Sequence, residues 1–99
     1  MQIECSTEKL HALYIKARES LSTCVGFEEN KFLQEELGVP WTSVMVKDSE
    51  VKISFYETKA ETYVIEVCLQ LYVSGELTGA YTYYEDEKGH PQDDSLVLY

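Results

Sequence analysis

The spacing of apolar residues changes once along this chain, near Thr42, and that change limits the possible folds more than any other feature. Before it, Leu10, Leu13, Tyr14, Ala17, Leu21, Cys24 and Val25 recur at the three- and four-residue intervals of one helix face. Ser6 or Thr7 can cap that helix, Glu8 suits the positive end of its dipole, and Gly26 lies just past the stripe as a stop. A second helix is expected over Glu28 to Leu37, with Phe32, Leu33 and Leu37 facing inward, ended by Gly38 and Pro40.

After Thr42 the interval is two. Val44 and Val46 alternate with polar neighbours, and after a turn expected at Asp48-Ser49, Val51, Ile53 and Phe55 do the same. The longest run is Tyr63 to Val73. There Tyr63, Ile65, Val67, Leu69, Leu71 and Val73 share one face, and Val64, Glu66, Cys68, Gln70 and Tyr72 the other. Ser74-Gly75-Glu76 suits a hairpin turn into a strand from Leu77 to about Tyr84. A polar loop over Glu85 to Asp94 and a last strand over Ser95 to Tyr99 complete the reading.

Short connections imply antiparallel neighbours, and clean alternation implies one covered face and one wet face. The expectation is therefore an α+β fold: two N-terminal helices packed on one face of a four- or five-stranded antiparallel meander. Residues 1–99 read as a single domain, a normal length for one, and 44% hydrophobic residues suffice for a core.

Charge narrows the function. Eighteen acidic residues against eight basic ones leave a net charge of −10. No basic cluster offers a footprint for nucleic acid or an anionic membrane, so a basic protein is the natural partner. Up to Pro40 the net charge is −3, and from Trp41 onward it is −7. Glu85, Asp86, Glu87, Asp93 and Asp94 crowd one segment, Tyr84 adjoins it, and Tyr56, Glu66 and Tyr72 fall on the expected wet face. Together they form a candidate docking surface, in which carboxylates steer the encounter and tyrosines anchor it.

The chemistry of catalysis is missing from the sequence. No nucleophile elbow, phosphate-binding glycine loop or zinc-protease motif occurs, and no catalytic residue or cofactor is expected. His11 reads as a helix shoulder residue. His90, with Asp86, Asp93 and Asp94, has ligand chemistry for a divalent ion without any usual spacing, so no metal is expected. Cys5, Cys24 and Cys68 form neither a disulfide framework nor a zinc pattern, which suits a reducing compartment. Met1 to Lys9 has no basic start or apolar run, and no stretch approaches the roughly 18 apolar residues of a membrane span. A cytoplasmic location is expected.

The segment YVIEVCLQLYVSGELTGAYTYYEDEKGHPQDDSLVLY resembles the end of small bacterial toxin-immunity proteins of the contact-dependent growth inhibition type. The D-E-K-G-x-x-x-D-D-x-L-V pattern within Tyr83 to Val97 carries most of the likeness. The resemblance implies an antidote that binds and blocks a cognate toxin, often a nuclease. A nuclease presents a basic, phosphate-binding surface, for which a compact acidic domain is a suitable plug. Two other readings share parts of this reasoning: a nucleic-acid mimic from a mobile element, and a non-catalytic accessory subunit of a larger complex.

Overall fold

The computed structural model describes residues 6–56 and 59–99. Helix α1 (Thr7–Gly26) is followed by a 3-10 turn (Glu28–Asn30), a short helix α2 (Phe32–Leu37) and a second 3-10 turn (Trp41–Ser43). Strands β1 (Met45–Tyr56), β2 (Lys59–Val73), β3 (Glu76–Asp86) and β4 (Pro91–Leu98) then form one antiparallel sheet in the order β1-β2-β3-β4. The architecture is the expected α+β meander, with four strands. Cys5 lies outside the described residues.

α1 starts where the sequence places it. Ser6 accepts a hydrogen bond from the Lys9 N–H at 3.1 Å, satisfying one of the orphan donors of the first turn. Its end differs from expectation: Gly26 is still helical, and Phe27, in an extended conformation, turns the chain away. The second helix is broken rather than continuous. Asn30 donates its side-chain amide to the Cys24 carbonyl at 2.8 Å, so the residue expected inside a helix instead completes the C-terminal end of α1. α2 is thus only Phe32–Leu37, closed by Gly38 at φ 79°, and Phe32 is 52% exposed rather than inward-facing.

The turn expected at Asp48-Ser49 is a bulge inside a continuous β1. Asp48 faces Leu69 and Glu50 faces Cys68, leaving Ser49 as one extra residue. The physical reason lies in the spacing of valines. Val46 and Val51 are an odd number of residues apart, so strict alternation would point them to opposite faces, and one inserted residue returns both to the side of α1. The Arg18 guanidinium ties the helix to this bulge, donating to Asp48 Oδ1 at 2.7 and 3.1 Å and to the Val46 carbonyl at 3.2 Å.

Between β2 and β3 the expected hairpin is present, with Ser74 at φ 51° and Gly75 at φ 81°, the left-handed pair of a type I′ turn. Between β3 and β4 the long loop of the sequence reading shrinks to residues 87–90. Asp86 accepts the backbone N–H groups of Lys88 at 2.9 Å and His90 at 2.8 Å, which folds the loop tightly and lets Asp93 and Asp94 enter β4. Pro91 is tolerated because it opens an edge strand.

α1 lies across the face of β2 and β3. The core is Ala17 and Leu21 from α1, Val67, Leu69 and Leu71 from β2, and Tyr81 and Tyr83 from β3. Fully buried Ala17 lets the helix backbone come close to the sheet. At Gly79 an added Cβ would sit 2.5 Å from the Val97 carbonyl oxygen, so this position on β3 admits no larger residue without a shift of β4. Replacing the fully buried Leu69 with alanine is expected to cost about 2–5 kcal/mol, read as a lower denaturant midpoint at unchanged slope.

Candidate functional site

Strand alternation sorts the acidic and aromatic residues onto two different surfaces. Toward α1, cross-strand rows run Asp48–Leu69–Tyr81–Leu96 and Val51–Val67–Tyr83–Asp94, with Glu85 opposite Ile65. Away from α1, the rows are Met45–Tyr72–Leu77, Lys47–Gln70–Ala80–Val97, Glu50–Cys68–Thr82–Ser95 and Lys52–Glu66–Tyr84–Asp93.

On the helix side the polar groups are consumed by the fold. Glu85 is only 3% exposed, which removes it from any docking surface. Its carboxylate accepts from the Tyr83 hydroxyl at 3.1 Å and from Lys16 Nζ at 3.3 Å, so a charge that would be costly to bury alone is partnered twice. Asp94 accepts from the Tyr81 hydroxyl at 2.8 Å. Because that proton is committed to Asp94, the Ser20 hydroxyl is the donor to the Tyr81 oxygen. Burial pushes the Tyr81 phenol well above its ordinary range, with the Asp94 carboxylate adding to the effect. Burial and then Glu85 push Tyr83 up to about 12. These two chains, Ser20–Tyr81–Asp94 and Lys16–Glu85–Tyr83, fasten α1 to β3 and β4. Lys16, Ser20, Tyr83 and Asp94 of these chains also line a groove of about 460 Å³ between α1 and β4, together with Cys24, Phe27 and Pro91. The Cys24 thiol is pushed up by burial and then by Asp94, which holds it in the unreactive neutral form.

The acidic loop is likewise a structural device. Asp86 is held below the usual carboxylate range, chiefly by the hydrogen bond from the His90 N–H. His90 is exposed, its Nδ1 3.6 Å from Asp86 Oδ2. Among the described residues no three His, Cys, Asp or Glu side chains converge as a metal site would require. Glu87 sits half-buried in the same loop, and His11 is exposed on α1.

Of the residues singled out in the sequence, Tyr56, Glu66, Tyr72, Tyr84 and Asp93 share the sheet face that α1 leaves open. That face is polarised along the strands. One end is apolar, with Met45, Leu77 and Val97 exposed at 61%, 44% and 51%. There Lys47 Nζ lies 4.9 Å from the centre of the Tyr72 ring, a cation–π contact. The other end is acidic and aromatic. Tyr56, Val64, Tyr84, Gln92, Asp93 and Ser95 line a depression of about 270 Å³. Tyr56 belongs to one edge strand and Gln92 to the other, so the face is cupped at this end. Burial, then Glu66 and Asp93, push the Tyr84 phenol up, as expected for a ring in a negative potential.

Strand alternation in the sequence already put Tyr56, Glu66 and Tyr72 on the open face. From Tyr84 to Asp94 the residues read as one patch of chain neighbours, and there the division was missed. Lys16 and Ser20 carried no signal of their inward roles. The alternation of Tyr83 with Tyr84, and of Asp93 with Asp94, was the available clue.

No protein-family model, no curated protein and no solved structure matches this chain. Among the described residues no helix is long and apolar enough to cross a membrane.

Two outcomes test the division. Asp94→Ala should cost about 1.5–3 kcal/mol of stability by orphaning the Tyr81 hydroxyl, whereas Asp93→Asn should stay within about 0.5 kcal/mol, both by chemical denaturation. Raised phenol pKa values mean that the folded chain holds protons the unfolded chain releases. The stability from Tyr83 is therefore complete below its ordinary pKa of 10.0 and lost as pH rises through about 12. Tyrosinate absorbance should show the phenols of Tyr14, Tyr81, Tyr83 and Tyr84 ionising late, Tyr81 and Tyr83 last of all and in step with a falling urea midpoint.

Proposed function

We propose that this chain is a non-catalytic inhibitor that binds a basic protein and blocks its active or substrate-binding surface, as an immunity protein does with its cognate toxin. The observation that carries the reading is the cupped sheet face left open by α1, where Tyr56 and Tyr84 stand beside Glu66 and Asp93 in a chain of net charge −10. Rigid strands hold these side chains in place, so little ordering entropy is lost on binding. Aromatic anchors exclude water, and carboxylates around them steer a positive surface into register. A nuclease is the partner class that the acidic surface and the resemblance of the C-terminal segment jointly favour, encountered in the cytoplasm. Exposed Met45, Leu77 and Val97 at the far end of the same face favour a second reading, an accessory subunit held by apolar burial.

The two readings differ in salt dependence. With the purified partner, recovered from lysate of the native host and shown to lose its toxic activity on rebinding, the association rate should fall steeply with ionic strength. Reversing Glu66→Lys together with Glu87→Lys should slow association about tenfold at low salt, a larger change than the accompanying rise in dissociation rate. Rates insensitive to both salt and charge reversal, with a multi-subunit assembly recovered at high salt, would establish the accessory-subunit reading instead.

A further inference from the structure

We infer that the depression at the acidic end of the open face is a receptor for one arginine side chain of the partner. The inference rests on the inhibitor reading and sharpens it from a charged surface to a defined site. At about 270 Å³ the depression is smaller than the roughly 300–1,000 Å³ of sites for drug-sized ligands, a size that suits a single side chain.

Its lining has the chemistry of a cation site. Tyr56 and Tyr84 present phenol rings, whose faces attract cations. Asp93 supplies a carboxylate, and the Gln92 amide oxygen can accept a further hydrogen bond. Glu66 stands directly across from Tyr84 on β2 and adds negative charge beside the ring. Val64 forms an apolar floor on which an alkyl stem can rest.

The open face already carries one contact of this kind, because Lys47 lies over Tyr72 at the opposite end. Lys52 is the cation native to the Glu66–Tyr84–Asp93 row; it bonds to Glu50 at 3.3 Å while its charge also reaches Glu66 and Tyr84, so one cation faces the three carboxylates of Glu50, Glu66 and Asp93. The row is thus left with an excess of negative charge next to two rings. Arginine fits better than lysine, because a planar, weakly hydrated guanidinium can stack on a ring while its edge bonds to a carboxylate.

The test uses the full chain, labelled with 15N and observed by NMR, titrated with blocked arginine (N-acetyl-arginine amide) and separately with blocked lysine. The expected result is saturable shifts at Tyr56, Tyr84, Gln92 and Asp93, tighter for arginine. Exposed Tyr56→Ala and Asp93→Asn should each weaken binding about threefold or more, while Tyr72→Ala leaves it unchanged. Shifts that never saturate, that spread over residues 85–94 irrespective of the variants, or that are equal for lysine would overturn the assignment. If the purified partner binds Tyr56→Ala and Asp93→Asn as tightly as the wild-type chain, the arginine site is refuted and the inhibitor reading stands. Saturable arginine binding in a chain that has no basic partner would support the site and refute the inhibitor reading.

Discussion

Ser49 falls between two register pairs on β1, and the organisation of the sheet depends on that one extra residue. Without it, either Val46 or Val51 would turn away from α1, and half of the edge strand would lose its place over the core. Arg18 holds the bulge from above, through the Asp48 carboxylate and the Val46 carbonyl. Asp48 therefore stands on the helix side while Glu50, two residues on, stands on the open side, and the same division continues strand by strand to β4. A single helix can cover only one of these sides. The other is left as a broad surface whose composition is not dictated by packing.

The parts of the fold legible in the sequence were those in which neighbouring residues report on one another. The α1 stripe, the Ser6 cap, the Gly38 stop, the alternation of β2 and the Ser74-Gly75 turn are all local patterns, and each stands where the spacing put it. Harder to read were features decided by distant partners. Asp48-Ser49 has the composition of a turn, and only pairing with β2 makes it a bulge. Glu85 to Asp94 has the composition of a loop, but Asp86 gathers the Lys88 and His90 amides and turns most of it into strand. Asn30 looks like an ordinary helical residue until its amide finds the end of α1.

The candidate site shows the same limit more sharply. A run of carboxylates along the sequence suggests one acidic patch, yet burial assigns Glu85 to the core and a phenol claims Asp94. A carboxylate at 3% exposure survives only because Lys16 and Tyr83 meet it, and Lys16 comes from a helix about seventy residues earlier. Tyr56 and Gln92, on opposite edge strands, line one and the same depression. No spacing rule connects them.

The doublets Tyr83-Tyr84 and Asp93-Asp94 carry a consequence for how such a chain can change over time. In each pair one residue is committed to the underside of α1 and the other to the open face. Substitutions at Tyr84 or Asp93 can alter what the surface recognises while Tyr83 and Asp94 keep α1 in place. Fold and recognition are thus written on alternate letters of the same strands. A lineage pressed to meet new partners can edit one set and leave the other alone.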